Sequence, residues 1–141
     1  MLRKRAFGSH VRVDSNFDIA RRLWDGIALG DAPMLRDVLA EECVWRMAGR
    51  SPLAGTYVGI DAILDFMARV GELTDDLQSA MIDVYTGKEG GLIRYAVHAR
   101  RGGQSLETEQ YFRFRVESGR IVDAVLSTVD SYEYDHFFRP Q

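Results

Sequence analysis

Apolar residues recur at Phe17, Ala20, Leu23, Trp24, Ile27 and Ala28. This three-and-four spacing draws one face of a helix over residues 16–29. Ser15, with Asp18 three positions on, reads as its N-cap, and Gly30 as its stop. Asp31 then caps a shorter helix with Pro33 in its first turn and Met34, Leu35, Val38 and Leu39 on its buried side. A strand over 42–48 and a loop over 49–59, rich in glycine and holding Pro52, lead into a third helix over 60–70. Its face is Ile60, Ile63, Leu64 and Met67, and Gly71 ends it.

The second half of the chain changes period. Strands are expected over 76–86, 92–101, 104–116 and 120–129. The breaks between them, at 87–91, 102–103 and 117–119, are short and contain glycine, which predicts an antiparallel meander. Ser131 is placed to cap a last short helix carrying Tyr132, Tyr134, Phe137 and Phe138. Alternation assigns Ile93, Tyr95, Val97, Phe112, Phe114 and Leu126 to a buried face. Ala96, His98, Tyr111, Ile121, Val125 and Val129 fall on the other face, among charges. Helix, helix, strand, helix and then a run of antiparallel strands describes an α+β domain with helices on one face of a sheet.

Composition narrows the class. The chain has 141 residues, 46% hydrophobic and 28% charged, which suits one globular domain with its own core. A net charge of −3 gives no cationic field for nucleic acid. The single cysteine, Cys43, excludes an intramolecular disulfide and a cysteine zinc site, and no His-x-His or Glu-x-x-His spacing offers another metal site. No apolar run approaches the ~20 residues of a membrane span. The start is basic (Arg3, Lys4, Arg5, Arg12) without an apolar core, so it does not read as a secretory signal. The expectation is a flexible basic tail over 1–14, a single domain over 15–141, and a cytoplasmic protein that binds neither nucleic acid nor membrane.

Several strings carry a family resemblance. They are Val44-Trp45-Arg46-Met47-Ala48-Gly49 and then Ser51-Pro52-Leu53-Ala54-Gly55-Thr56-Tyr57-Val58-Gly59 before the third helix. Gly30-Asp31 and Ser118-Gly119-Arg120-Ile121-Val122 match as well. With them the chain, over residues 17–138, resembles the nuclear transport factor 2-like superfamily, in its SnoaL-like polyketide cyclase and ketosteroid isomerase-like branch. The resemblance implies a cone: three helices on a curved, mainly antiparallel sheet, a short C-terminal helix, and a deep apolar pocket on the concave side. It implies a small-molecule enzyme of the cyclase, isomerase or dehydratase (lyase) type acting on an apolar cyclic or polyketide-like substrate. The alternative is a ligand-binding or interaction module that keeps the fold without the acid–base set. The fold commonly dimerises back to back, and the apolar residues on the outer face point to a homodimer.

The isomerase set itself is not retained. The tyrosine position falls at Leu23, the base at Arg46, and the second acid at Phe112, or at Tyr111 in the neighbouring register. An arginine does not accept protons at ordinary pH. Three polar candidates for chemistry remain. Arg46 either holds an anionic or carbonyl oxygen in the pocket or reaches out to water. Asp83, in the apolar run Met81-Ile82-Asp83-Val84-Tyr85, is either an inward base with a raised pKa or a solvated edge charge. Gln110 lies on the face assigned inward, where a buried amide needs a partner. Trp24, Trp45, Tyr57, Tyr95, Phe112, Leu126 and Thr128 are the expected ligand-binding wall. No metal ligand set and no cofactor motif is present, and the expected partner is a small apolar or acidic aromatic molecule.

Overall fold

The computed structural model describes residues 3–140, with side chains from residue 16 onward. Helix α1 (Arg3–Leu29) is followed by α2 (Ala32–Val38), β1 (Leu39–Met47), β2 (Gly55–Val58) and α3 (Ile60–Glu72). Four strands come next, β3 (Asp76–Thr86), β4 (Gly90–Arg101), β5 (Gln104–Glu117) and β6 (Arg120–Thr128), and α4 (Ser131–Phe137) closes the chain.

Helix α1 starts at Arg3, so the boundary expected at residue 15 lies inside it; the side chains of the basic segment are outside the described residues. Its buried side is Asn16, Ile19, Ala20 and Leu23, with Trp24 and Ile27 half-buried. Phe17 and Ala28, both expected inside, face solvent. A stripe through Ile19 keeps the same three-and-four spacing and matches the sheet below it. The Asn16 amide also donates to the Gly87 carbonyl at 2.7 Å, tying α1 to the β3–β4 hairpin. Asp31 caps α2 as expected, accepting from the Met34 N–H at 3.1 Å. The cap of α4 is Asp130, which accepts from the Glu133 N–H, one position before the serine expected there.

The six strands form one curved sheet in the order β2-β1-β6-β5-β4-β3. β3 through β6 are the antiparallel meander read from the sequence, while β1 runs parallel to β6 and antiparallel to β2. Strand β2 was expected to be part of a loop. Its four residues are too few for a periodic signal, and only the edge of β1 makes them a strand. The helices cover the concave face, where Ile93, Val97, Phe112, Phe114 and Leu126 are buried and Tyr95 is half-buried.

Two bulges decide faces that alternation alone does not. In β3, Met81 pairs with Tyr95 but Asp83 with Arg94, so Ile82 is an extra residue. That insertion turns Asp83 from the concave to the outer face. Between β5 and β6, Arg115 pairs with Asp123 but Val116 with Ile121, leaving Val122 extra. Ile121 is thereby swung into the core instead of standing on the outer face as expected.

Candidate functional site

A cavity of about 210 Å³ lies between the concave face and the helices. Its helical side is Leu23, Trp24 and Ile27 of α1 with Phe66, Met67 and Val70 of α3. The sheet supplies Trp45 and Met47 from β1, Ile93, Tyr95 and Val97 from β4, Gln110 and Phe112 from β5, and Leu126 from β6. Tyr134 of α4 and Phe138 just beyond it close one end, and exposed Leu77 and Ser79 of β3 form the rim at the other. Packed rings hold the wall: Trp45 meets Phe112 edge-on at 4.9 Å, and Trp24 lies tilted on Tyr95 at 5.2 Å.

The short terminal helix is fixed from both sides. Asp135 accepts from the backbone N–H groups of Arg50 at 3.0 Å and Ser51 at 3.1 Å, which pins the β1–β2 loop to α4. Arg101 donates to the carbonyls of Phe137 and Arg139 at the helix end. Tyr134 and Phe138 are therefore held over the cavity by hydrogen bonds formed outside it.

Among the described residues no charged side chain lines the cavity. Arg46 stands on the exposed face of β1, while Cys43, Trp45 and Met47 are the inward residues. The assignment of Arg46 as a pocket residue is thus corrected: it shares its face of β1 with Val44, not with Trp45 and Met47. Burying an indole, a thioether and a thiol removes far more apolar area from water than burying a valine and an alanine, and it spares the desolvation of a guanidinium. Asp83 is corrected as well: it is exposed, and its carboxylate accepts from the Val84 N–H at 2.8 Å. Tyr57 lies beside the cavity without lining it, and its hydroxyl donates to the Leu53 carbonyl. Thr128, opposite Gln110 in the register, is half-buried and also off the wall.

Of the three polar candidates, Gln110 is the one in the cavity wall, together with the expected wall residues Trp24, Trp45, Tyr95, Phe112 and Leu126. Gln110 is 7% exposed, and its Nε2 makes no regular hydrogen bond to the described residues, although the Tyr134 hydroxyl lies beside it. The second orphan donor, Trp45 Nε1, is close enough to the Cys43 thiol to act on it. Burial nevertheless dominates there and pushes Cys43 up to about 11. Burial also pushes the Tyr134 phenol up to about 12, with the neighbouring Gln110 amide pulling the other way, and it raises Tyr95 further. Both phenols stay protonated at neutral pH and can only donate or accept neutral hydrogen bonds. Tyr134 was read from the sequence merely as part of a terminal helix; nothing local marks it as a cavity residue. The helical wall residues Phe66, Met67 and Val70 carried only an amphipathic signal.

A cone of helices on a curved sheet, with an apolar cavity on the concave side, defines the NTF2-like class of fold. The chain belongs to the SnoaL-like domain family, whose model matches residues 20–124. It is 26% identical over 110 residues to an uncharacterised protein of Mycobacterium tuberculosis, covering 77% of this chain and 84% of that one. Among solved structures it is similar to Bal32a from a soil-derived mobile gene cassette, with a TM-score of 0.85 and 27% identity over 91% of this chain and 99% of that one. An NTF2-like protein of Burkholderia xenovorans superposes with a TM-score of 0.79 at 19% identity, over 90% of this chain and 98% of that one. A proposed SnoaL-like polyketide cyclase of a Jannaschia species does so with a TM-score of 0.76 at 13% identity, over 92% and 96%. The last two likenesses speak to the fold alone.

Proposed function

We propose that this protein takes up a small, neutral, mostly apolar ring compound in the cone. The carrying observation is the wall: a cavity of about 210 Å³ lined by aliphatic and aromatic side chains with no charge among them. Desolvation of the ligand's apolar surface is then the main driving force, and an ionised ligand would meet no counter-charge. This narrows the expected ligand from apolar or acidic to neutral.

Among the described residues the wall offers no carboxylate, histidine or lysine to move a proton, which favours a binding role over acid–base catalysis. A catalytic reading, of the cyclase or isomerase type, is supported by Tyr95 and Tyr134, which are kept protonated and suited to polarising a carbonyl. A structural neighbour from a Jannaschia species is described as a proposed SnoaL-like polyketide cyclase, and the same pocket would serve either role.

Fluorescence of Trp24 and Trp45 reports directly on the cavity. Saturable quenching by 2-acetylnaphthalene is expected, and Leu126→Trp, which fills the space, should weaken it more than tenfold. Non-saturating quenching, or binding untouched by that substitution, would place the ligand elsewhere.

We also propose that the outer face of the sheet pairs with a second copy of the chain. That face carries half-buried Val44, Leu92, Ala96, Tyr111 and Val125 between ion pairs of both signs, Arg94–Glu109 at 2.7 Å and Arg115–Asp123 at 2.7 Å. Mixed charge on an apolar sheet suits a two-fold related copy of itself.

A further inference from the structure

We infer that Gln110 is the recognition point for a hydrogen-bond-accepting oxygen, so that the ligand of the cone is a neutral ring carbonyl compound: a ketone, quinone or lactone. The inference rests on the proposed uptake of a neutral apolar molecule and names the polar end of that molecule.

The cavity wall is apolar except at a few points. Ser79 sits at the exposed rim, where water satisfies it. The Tyr57 hydroxyl beside the wall is already engaged with Leu53. Two buried donors on the wall make no regular hydrogen bond among the described residues, Trp45 Nε1 and Gln110 Nε2. The indole N–H lies against the Cys43 thiol, which leaves the Gln110 amide, more than nine-tenths buried, as the polar group without such a neighbour in the core. A primary amide carries two donor hydrogens, and leaving them unmet in an apolar wall is costly. A leucine or methionine at this position of β5 would continue the Phe112 and Phe114 face without that penalty. A ligand oxygen is the partner that the position lacks.

The chemistry of that oxygen follows from its neighbours. Tyr134 lies next to the Gln110 amide, and its phenol is neutral. An amide and a phenol without any lysine or arginine present hydrogen bonds and no positive charge. A carbonyl oxygen is satisfied by such donors, whereas a carboxylate would pay for desolvation without an opposite charge. The rest of the wall is aromatic and aliphatic and suits the ring that bears the carbonyl.

The test compares 2-acetylnaphthalene with 2-ethylnaphthalene, a hydrocarbon of nearly the same shape that lacks the oxygen. Affinities for both are measured in the wild-type chain and in Gln110→Leu. The substitution is expected to weaken the ketone about tenfold and to leave the hydrocarbon within about twofold. The unliganded variant should melt no lower than the wild type, because an unmet buried amide has been replaced by an apolar group; a merely structural glutamine would show the opposite. The carbonyl stretch of the bound ketone should lie at lower wavenumber than in a hydrocarbon solvent, a readout that needs no variant. Equal loss for both probes, or an unshifted stretch, overturns the assignment of Gln110 while the cavity remains a binding site. Binding of neither probe to the wild type overturns the uptake of neutral rings and the assignment with it.

Discussion

Arg46 and Asp83 are both charged, both interrupt apolar strands, and both end outside the cone. Their positions fix what their removal should do. Arg46 is exposed, with neither hydrogen bond nor salt bridge to another described residue. Arg46→Met should therefore leave affinity for 2-acetylnaphthalene within about twofold and change stability by no more than about 0.5 kcal/mol. Equilibrium denaturation and the fluorescence titration check both numbers. Inside the core, Cys43 responds to pH in a defined direction. Its thiol ionises at about 11 in the folded chain and near 9 when unfolded. The folded state thus holds the proton longer, so the contribution is fully present below pH 9 and is lost as pH rises toward 11. Tyr134 and Tyr95 act in the same sense at still higher pH. Denaturation midpoints should be flat from pH 7 to 8.5 and then fall, with Cys43 alone responsible for roughly 2 kcal/mol by pH 11. Cys43→Ala should flatten the first part of that fall.

At the scale of elements, the sheet is held by close approaches and the cavity by the helix at its end. Gly90 opens β4 directly against Phe114 of β5, and a methyl group there would collide with the Phe114 carbonyl. Backbone must move to admit it, so Gly90→Ala should cost about 3 kcal/mol or more and be read as a large drop in the melting temperature. The Asp135 carboxylate makes the bonds that pin the β1–β2 loop to α4. Asp135→Ala should cost about 1–2 kcal/mol and speed hydrogen exchange at the Arg50 and Ser51 amides, with the meander strands unchanged. Much of this level was legible in the chain. The meander follows from alternation broken by glycine turns, and α3 from its apolar stripe. Strand β2 was not legible, because it exists through the edge it pairs with.

The whole molecule has a covered face and an uncovered one. Helices close the concave side over the cavity, and among the described residues no helix is long and apolar enough to cross a membrane. Among the described residues no helix covers the outer side, where apolar side chains alternate with ion pairs. Sedimentation at micromolar concentration should give twice the monomer mass, and Val125→Asp should shift it toward the monomer without lowering 2-acetylnaphthalene affinity. A monomeric wild type would remove the proposed pairing while leaving the cavity intact.

Read alone, the chain yields the order of elements other than β2, the antiparallel meander, the buried Ile93, Val97, Phe112 and Leu126, and the membership of a fold class. Those rest on local periodicity, which is carried by the chain whatever surrounds it. The orientation of single polar residues was decided elsewhere. One extra residue at Ile82 turned Asp83 out, and one at Val122 turned Ile121 in, because a strand has a period of two and any insertion exchanges its faces. On β1 the pattern allowed either face inward, and the greater apolar area of Trp45 and Met47 settled it against Arg46. Gln110 was legible as inward, but its lack of a partner was not. Whether a buried amide is satisfied depends on groups from β5, β6 and α4 that only the folded chain brings side by side.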